Sequence, residues 1–265
     1  MEKLLFADNA FKGKHIVVTG ASRGIGRETA IQLTRSGASV TLTGRNRERL
    51  EEVQKECENG TGETQIVVAD LNQAADRQEL VEKSLEFLPV YGLVNSAGVL
   101  STYYLEDIPE EELRKAMEVN FFSLTLLTQE FYTEMKKREE GAIVNLSSLS
   151  GLRGTHGNVS YCASKFAVTG FTQSLAHEAI RSNIRVNAVA PGFVDTEMGR
   201  KAVAAKAERE GRSFEEQWEL AQSGNPSGRI TTAGEVAGTI LFLLSEASEN
   251  IIGESVKISG GSVMR

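Results

Sequence analysis

A tyrosine and a lysine separated by one helical turn, Tyr161 and Lys165, have the residue types and spacing for acid–base chemistry. If this stretch is helical, residues i and i+4 point from the same face and the two side chains lie side by side. A neighbouring ammonium favours a phenolate, so we expect the pKa of Tyr161 to lie below its reference value of about 10. Such a tyrosine can protonate a carbonyl oxygen during reduction and deprotonate an alcohol during oxidation. Ser148, at the end of a predicted strand, is placed to hydrogen-bond the same oxygen.

Each of these residues also has a simpler structural explanation. Tyr161 could be a buried aromatic residue, Lys165 a solvated helix position and Ser148 one of several serines in a turn. For any one residue taken singly, the structural explanation is the better one. The catalytic interpretation depends on their joint occurrence with a glycine-rich motif near the N-terminus.

That motif is the segment TGASRGIG, residues Thr19 to Gly26, which follows a short β-branched run and precedes a helical pattern. In a strand–turn–helix unit, backbone N–H groups and the positive end of the helix dipole can bind a pyrophosphate. Gly20 permits the tight turn, Gly24 lets phosphates approach the backbone, and Gly26 allows the helix to pack closely on the strand. An isolated trio of glycines is explained equally well by a tight turn without a ligand.

The end of the second predicted strand bears on the choice between NAD and NADP. In dinucleotide-binding folds, an acidic residue about 20 residues after the glycine loop accepts hydrogen bonds from the adenosine ribose of NAD. Gly44 occupies this position, Arg45 follows it, and Arg23 lies within the glycine loop. Two guanidinium groups can hold the 2′-phosphate of NADP through paired charged hydrogen bonds. The sequence therefore favours NADP(H) over NAD(H), although either arginine alone would be ordinary surface charge.

The spacing G-x-x-x-G-x-G after a threonine resembles the short-chain dehydrogenase/reductase family, and the resemblance extends along nearly the whole chain. Further motifs occur in the order that the family requires: Asp70-Leu71, Asn95-Ser96-Ala97-Gly98, Asn120, Ser148, Tyr161-Cys162-Ala163-Ser164-Lys165, Pro191-Gly192 and Thr196. The one departure is Ser96, where the family has a second asparagine. The overall pattern is similar to bacterial 3-oxoacyl-carrier-protein reductases and related carbonyl reductases.

The resemblance implies roles for individual residues. It implies that Ser148, Tyr161, Lys165 and Asn120 are catalytic. Lys165 would also hold the nicotinamide ribose, and Asn120 would position a water that links Lys165 to solvent. Asp70 would bind the adenine amino group. The residues expected to bind the cofactor are Gly20, Ser22, Arg23, Gly24, Ile25, Gly26, Arg45, Asp70, Leu71, Asn95, Ala97, Gly98, Tyr161, Lys165, Pro191, Gly192, Val194 and Thr196.

We therefore expect an NADP(H)-dependent oxidoreductase that reduces a carbonyl to a secondary alcohol or catalyses the reverse. A 3-oxoacyl thioester is the first expectation for the substrate. A sugar, a polyol or a cyclic alcohol is the alternative, since resemblance at the level of the fold cannot choose among them. A non-catalytic dinucleotide-binding regulator is a remoter alternative, and the intact set of Ser148, Tyr161, Lys165 and Asn120 argues against it.

The elements that must position these residues follow from the hydrophobic pattern, in which short β-branched runs alternate with amphipathic stretches. Helices are expected at about 24–36, 46–58, 73–87, 109–138 with a break near Asn120, 160–182 and 233–246. The fold class is α/β, a Rossmann-type doubly wound parallel sheet in a single domain of residues 1–265. Its seven strands are predicted at His15 to Thr19, Ser39 to Thr43, Gln65 to Ala69, Gly92 to Asn95, Ala142 to Ser147, Arg185 to Ala190 and Ser255 to Ile258.

Residues 197–224 interrupt the alternation and are rich in Ala, Lys, Arg and Glu. We expect helical excursions here that form a substrate lid, because long insertions beside a binding cleft commonly do so. Phe214, Trp218 and Ala221 form an apolar stripe at positions i, i+4 and i+7. The stripe either packs the helix down or covers a hydrophobic substrate, and the sequence leaves both possibilities open.

Charge and composition exclude several classes of function. A net charge of −7 argues against a nucleic-acid or membrane-surface partner, since both require a basic face. The N-terminal apolar run is too short for a signal peptide, and no stretch reaches the roughly 18 apolar residues of a membrane span. We therefore expect a cytoplasmic protein. Cys57 and Cys162 lack the spacing of a disulfide framework or a zinc site, and no metal site is expected.

Two further expectations concern partners. The resemblance implies a homotetramer or homodimer, and the stretches Phe121 to Met135 and Phe166 to Ala179 carry more apolar residues than one buried face needs. In the carrier-protein reductases, basic residues in these regions receive an acidic carrier. Here the corresponding basic residues are Lys136, Lys137, Arg138 and Arg181, which equally well complement the dipoles at helix ends.

Overall fold

The computed structural model describes residues 6–264 as a three-layer α/β unit. Part of the N-terminal run considered above as a leader lies outside these described residues. The strands are β1 His15–Thr19, β2 Ser39–Gly44, β3 Thr64–Val68, β4 Val90–Asn95, β5 Gly141–Leu146, β6 Ile184–Pro191, β7 Val194–Asp195, β8 Thr231–Thr232 and β9 Ser255–Ile258. The helices are α1 Gly24–Arg35, α2 Arg47–Cys57, α3 Ala74–Phe87, α4 Glu110–Met117, α5 Ser123–Arg138, α6 Val159–Ala179, α7 Glu197–Arg209, α8 Phe214–Ser223 and α9 Ala233–Leu244.

Seven parallel strands form the main sheet in the order β3-β2-β1-β4-β5-β6-β9. This confirms the predicted fold class and the seven predicted strands, whose ends differ by two residues at most from those observed. β1 and β4 are neighbours, and the chain winds outward from them in opposite directions. The carboxyl ends of these two strands therefore diverge into a crevice, where ligands bind in folds of this type.

Apolar side chains fill both faces of the sheet. On one face, α1, α2 and α9 cover a cluster that includes the fully buried Leu42, Leu50 and Ile240. On the other, α3, α5 and α6 cover a second cluster that includes Phe131 and Ile143. The central strands β1 and β4 are buried at every residue, which explains the apolar runs in their sequences.

The predicted helix 109–138 is divided as expected near Asn120. α4 ends at Met117, a π-helical turn spans Glu118–Phe122, and α5 begins at Ser123. Single π-helical turns inside helices are frequent at functional sites. The two-residue strands β7 and β8 pair with each other outside the main sheet and were not predicted, because such short pairings leave no periodic signal.

The predicted helical excursions of residues 197–224 are two consecutive helices, α7 and α8. Thr196 caps α7 by accepting a hydrogen bond from the Gly199 N–H, and Ser213 forms a capping box with Glu216 at the start of α8. Within the stripe on α8, the rings of Phe214 and Trp218 stack with centroids 5.5 Å apart. The guanidinium of Arg200 on α7 lies 4.9 Å from the centre of the Trp218 ring. These contacts favour the packing interpretation of the stripe.

Several negative expectations concern the whole chain. Among residues 6–264, no helix has the length and apolar content required to cross a bilayer. The same described residues contain no group of three His, Cys, Asp or Glu side chains arranged to hold a metal ion. Cys57 and Cys162 are both buried and unpaired.

Candidate active site

The glycine-rich loop between β1 and α1 has the geometry of an anion site. Gly20 and Gly24 adopt φ values of +64° and +56°, in the left-handed region that favours glycine. α1 begins without a side-chain cap and without an acidic residue in its first turn. Its first N–H groups are therefore free to bind an anion, which they attract together with the helix dipole. A Cβ on Gly26 would overlap the carbonyl oxygen of Gly20, as expected for close packing of helix on strand.

The threonine before the loop joins the two strands that flank the crevice. Thr19 Oγ1 accepts hydrogen bonds from the Ser96 and Ala97 N–H groups, at 2.9 and 3.0 Å, and donates to the Val94 carbonyl at 3.3 Å. These bonds hold the loop after β4 beside the glycine loop. The departure at Ser96 leaves this arrangement intact, because Thr19 binds the backbone and not the side chain at that position.

A cleft opens along the carboxyl ends of β1, β2, β3 and β4. Eleven of the eighteen residues predicted to bind a cofactor line it: Gly20, Ser22, Arg23, Gly24, Ile25, Arg45, Asp70, Leu71, Ala97, Gly98 and Thr196. Unpredicted lining residues include Thr43, Asn72, Val119, Ser123, Leu146, Glu197 and Met198. The cleft therefore fits a dinucleotide. Its pyrophosphate could bind at the glycine loop and the uncapped start of α1, and a further phosphate could bind at the arginines.

Asn95 was predicted to bind the cofactor, and the structure places its side chain elsewhere. It is buried behind the cleft, where Nδ2 donates to Thr128 Oγ1 and to Asn145 Oδ1, both at 2.9 Å. Asn145 in turn donates to Thr172 Oγ1 at 2.9 Å. The Asn95 side chain therefore forms no part of the cleft wall, because the last residue of β4 points into the layer between the sheet and helices α5 and α6.

Pro191, Gly192 and Val194 also lie outside the walls of the cleft. Pro191 belongs to β6, which is separated from the glycine loop by β4 and β5. Gly192 lies against Leu149, in the segment that follows Ser148, and Val194 packs into the apolar cluster under α1 and α9. Gly192 therefore borders the catalytic side of the crevice, whereas Val194 belongs to the core.

Ser148 and Tyr161 meet at the end of β5. Ser148 Oγ accepts a hydrogen bond from the Ser150 N–H at 3.1 Å, so the serine retains its own proton for donation. The Ser148 side chain lies close enough to the Tyr161 hydroxyl to affect its pKa. Burial raises the pKa of Tyr161, and the Ser148 side chain opposes this increase. The two hydroxyl groups are therefore neighbours, and one substrate oxygen could accept a hydrogen bond from each of them.

Lys165 is buried beneath this pair. Its Nζ donates to the Leu146 carbonyl at 2.7 Å and lies 5.8 Å from the centre of the Tyr161 ring. Burial lowers the pKa of Lys165 to about 8. The expected side-by-side placement is present, but the expected fall in the pKa of Tyr161 is absent, because burial of the phenol has the largest effect on it and the ammonium is bonded to a backbone carbonyl.

Asn120 is fully buried in the π-helical turn and clasps the loop after β4. Its Oδ1 accepts from the Val99 N–H at 2.8 Å, and its Nδ2 donates to the Val99 carbonyl and to Ser164 Oγ, both at 3.0 Å. A Cβ on Gly98 would lie 3.1 Å from Asn120 Oδ1 and 3.7 Å from Lys165 Nζ. Gly98 thus lets the cleft wall approach both residues closely.

The two arginines predicted to hold a 2′-phosphate differ in their surroundings. Arg45 lies exposed at the cleft and makes no ion pair within the described part of the chain. Arg23 is paired with Glu197, 2.9 Å from Nη1 to Oε2, and Arg49 lies 3.6 Å from the same oxygen. We did not predict Arg49 or Glu197 as site residues. The i, i+4 spacing of Arg45 and Arg49 at the start of a helix could have indicated the former.

The basic residues considered for carrier binding lie at the opposite edge of the sheet. α5 ends at Arg138, just before the amino end of β5, and Arg138 donates to the carbonyl of Val90 at the start of β4. With a rise of 1.5 Å per residue, Arg181 lies about 30 Å along α6 from Tyr161. Within one chain, these residues are therefore too distant to receive a carrier at the catalytic pair.

Comparison with known proteins agrees with this geometry. Residues 14–207 match the family described as short chain dehydrogenase. The chain is 36% identical over 257 residues to the 3-oxoacyl-(acyl-carrier-protein) reductase FabG of Thermotoga maritima, covering 96% of this chain and 99% of the relative.

Solved structures give the same result. An actinorhodin polyketide ketoreductase with NADPH has a TM-score of 0.90 at 29% identity, with 94% of this chain and 97% of that chain covered. Levodione reductase also has a TM-score of 0.90 at 29% identity, with 95% and 98% covered. The chain therefore belongs to the short-chain dehydrogenase family and is an oxidoreductase that acts on CH–OH or C=O groups.

Proposed function

We propose that this protein is an NADP(H)-dependent reductase that converts a ketone to a secondary alcohol, with Tyr161 as the general acid. The observation that carries the proposal is the proximity of the Tyr161 and Ser148 hydroxyl groups above the buried Lys165, beside a cleft with a phosphate-binding loop. In the reverse direction, Tyr161 acts as the general base.

The protein's own groups bind, orient and protonate the reacting oxygen. Ser148 donates a hydrogen bond to the substrate oxygen and stabilises the charge that develops there. Tyr161 transfers its hydroxyl proton to that oxygen, and the raised pKa of the free phenol keeps it protonated until then. Lys165, held by the Leu146 carbonyl, places a positive charge near the phenolate that results. Bound NADPH would supply the hydride to the carbonyl carbon.

We propose a part of the cofactor for each group of residues that lines the cleft. The glycine loop and the start of α1 would bind the pyrophosphate, and Asp70 and Leu71 would border the adenine. Arg23 and Arg45 would bind the 2′-phosphate, since no acidic residue ends β2. Lys165 and Asn120 would lie nearest the nicotinamide ribose, at the wall formed by Gly98.

For the substrate, a 3-oxoacyl thioester is the proposal supported by the FabG relative at 36% identity. A sugar, polyol or cyclic alcohol substrate is the alternative. Of these three, the likeness to levodione reductase supports the cyclic alcohol. Within a single chain, Arg138 and Arg181 lie too far from Ser148 and Tyr161 to bind a carrier protein there. A thioester substrate would therefore reach the site as a small free molecule or through another subunit. The lid role of α7 and α8 belongs to this proposal.

Two buried, unpaired cysteines, Cys57 and Cys162, suit a reducing compartment such as the cytoplasm. We propose that the protein acts there as a homotetramer or homodimer.

The test compares kcat/KM for NADPH and NADH at one ionic strength, with β-ketoacyl thioesters, ketoses and cyclic ketones as substrates. We expect NADPH to be preferred by about 10- to 100-fold, on the scale of a hydrogen bond to a charged group. Arg45→Ala should lower the NADPH value selectively. Arg47→Ala is the matched control, because Arg47 on the same turn faces Glu51 at 3.9 Å. Equal use of both cofactors by the wild type would contradict the NADP(H) assignment.

A further inference from the structure

One carboxylate at the mouth of the cleft is bound by cations from three elements. Glu197 Oε2 lies 2.9 Å from Arg23 Nη1 in the glycine loop and 3.6 Å from Arg49 Nη1 on α2. Its other oxygen, Oε1, lies 3.0 Å from Lys201 Nζ on α7. Glu197 and Arg23 both line the cleft. The Glu197 carboxylate is therefore paired with Arg23, the guanidinium that the 2′-phosphate of the cofactor would need.

Glu197 also links the cleft to the lid. It is the first residue of α7, directly after the cap residue Thr196, and its partner Arg23 is 174 positions away at the start of α1. The ion pair thus crosses the opening of the cleft between the phosphate-binding loop and the segment that borders the substrate side. Movement of Arg23 away from Glu197 would remove one of the two contacts that Glu197 makes across the cleft and leave the contact with Arg49.

We propose that Glu197 is a specificity-determining residue that occupies Arg23 until the 2′-phosphate of NADP(H) replaces its carboxylate. This inference rests on the proposed function, since it assumes that NADP(H) binds in the cleft. On binding, the phosphate takes the bonds of Arg23 and meets Arg45, and Glu197 retains Lys201 on its own helix. NAD(H) presents a neutral hydroxyl group at this position and cannot compete for the guanidinium.

The energetics allow such an exchange. The Glu197 and Arg23 side chains are 44% and 47% exposed, so solvent screens their attraction and the pair adds little to the stability of the fold. A phosphate carries a greater charge than a carboxylate and can bind a guanidinium through two parallel bonds. Protonation of Glu197 does not drive the exchange near neutral pH, because bonds from Lys201 and Arg23 hold the pKa of Glu197 at about 2.

A purely structural role for Glu197 predicts a different result. A glutamate in the first turn stabilises a helix through the dipole, and Glu197 and Lys201 form an i, i+4 pair. If this were its whole role, replacing the carboxylate would loosen α7 without favouring one cofactor. Selectivity for the 2′-phosphate separates the two roles.

The experiment measures dissociation constants of NADPH and NADH by calorimetry for the wild type, Glu197→Gln and a control, Glu208→Gln. Glu208 lies exposed on the same helix and makes no ion pair in the described part of the chain. We expect Glu197→Gln to bind NADPH about 2- to 5-fold more tightly, the scale of one screened ion pair, with the NADH affinity unchanged. Glu208→Gln should match the wild type.

A double-mutant cycle tests the exchange itself. If Glu197 acts by occupying Arg23, the gain from Glu197→Gln should largely disappear in an Arg23→Ala background. Three outcomes would each overturn the inference. They are an unchanged NADPH affinity in Glu197→Gln, an equal gain in affinity for both cofactors, and a gain in NADPH affinity that persists without Arg23. A wild type that binds NADH as tightly as NADPH would instead overturn the cofactor assignment, so the two failures are distinguishable.

Discussion

At the scale of single residues, the candidate site separates binding from positioning. Tyr161 and Ser148 present neighbouring hydroxyl groups, whereas the Asn120 side chain binds the backbone of Val99. Removing the first two should therefore affect the chemical step, and removing Asn120 should affect the shape of the cleft wall. Lys165 belongs to both groups, because its ammonium is fixed by the Leu146 carbonyl and lies near the tyrosine ring.

Tyr161→Phe keeps the ring and its packing and deletes the proton that is transferred. We expect kcat for ketone reduction to fall by about 10²- to 10⁴-fold, the range for loss of a general acid. NADPH affinity, measured by calorimetry, should remain within about twofold. Thermal stability should be unchanged, which makes the variant its own control for folding. Turnover within a few-fold of the wild type on its best substrate would refute the assignment of Tyr161 as the acid.

At the scale of elements, a buried histidine joins the first strands of the sheet at their amino ends. His15 Nδ1 donates to the Leu88 carbonyl at 2.9 Å, and Nε2 accepts from Thr41 Oγ1 at 2.8 Å. Thr41 Oγ1 also accepts a hydrogen bond from Gln65 Nε2 at 2.8 Å. Its own proton is not used in that bond and is donated to His15. This chain of bonds requires neutral imidazole, and burial lowers the pKa of His15 to about 4.

His15 should therefore make stability depend on pH. Its pKa is about 4 in the folded protein and has the ordinary value of 6.5 in the unfolded chain, which therefore binds more protons between these limits. The contribution of neutral His15 is complete above pH 6.5 and is lost as pH falls towards 4, by about 3 kcal/mol at most. In urea titrations, the free energy of unfolding of the wild type should exceed that of His15→Gln at pH 6.5, and this difference should shrink as the pH falls towards 4. The exposed His177→Gln is the control, and a difference that stays constant with pH would contradict this account.

At the scale of the whole molecule, large apolar side chains are exposed near the N-terminal halves of α5 and α6. Phe122 and Phe166 are each 46% exposed and Leu126 is 39% exposed. Exposed apolar groups gathered on neighbouring elements are typical of contact surfaces between subunits. A second copy of the chain is the occupant that we expect, in agreement with the apolar excess noted in the sequence of both helices.

Light scattering at micromolar concentration should therefore give the mass of a dimer or tetramer. Phe166→Glu would place a charge in the contact and should weaken association by at least about tenfold, because a buried unpaired charge is costly. Leu88→Glu, which adds the same charge at a residue 39% exposed at the end of α3, should leave the mass unchanged. A monomeric wild type would remove the basis for the proposed assembly.

The sequence alone determined the order and type of the elements, the glycine loop and the spacing of Tyr161 and Lys165. These features are local: side-chain periodicity distinguishes strand from helix, and a turn or an i, i+4 pair is complete within a few residues. For the π-helical turn, the sequence predicted only a break in the helix near Asn120. The hydrogen bonds between Asn120 in this turn and Val99 join residues 21 positions apart.

Only the tertiary structure decided where polar side chains find their partners. Asn95 bonds to Thr128 and Asn145 and so leaves the cleft, and burial by the surrounding layers controls the pKa values of Tyr161 and Lys165. The contact between Arg23 and Glu197 spans 174 positions and has no periodic signal in the chain. Hydrogen bonds, burial and ion pairs of this kind depend on distances between elements, which packing sets and local sequence does not.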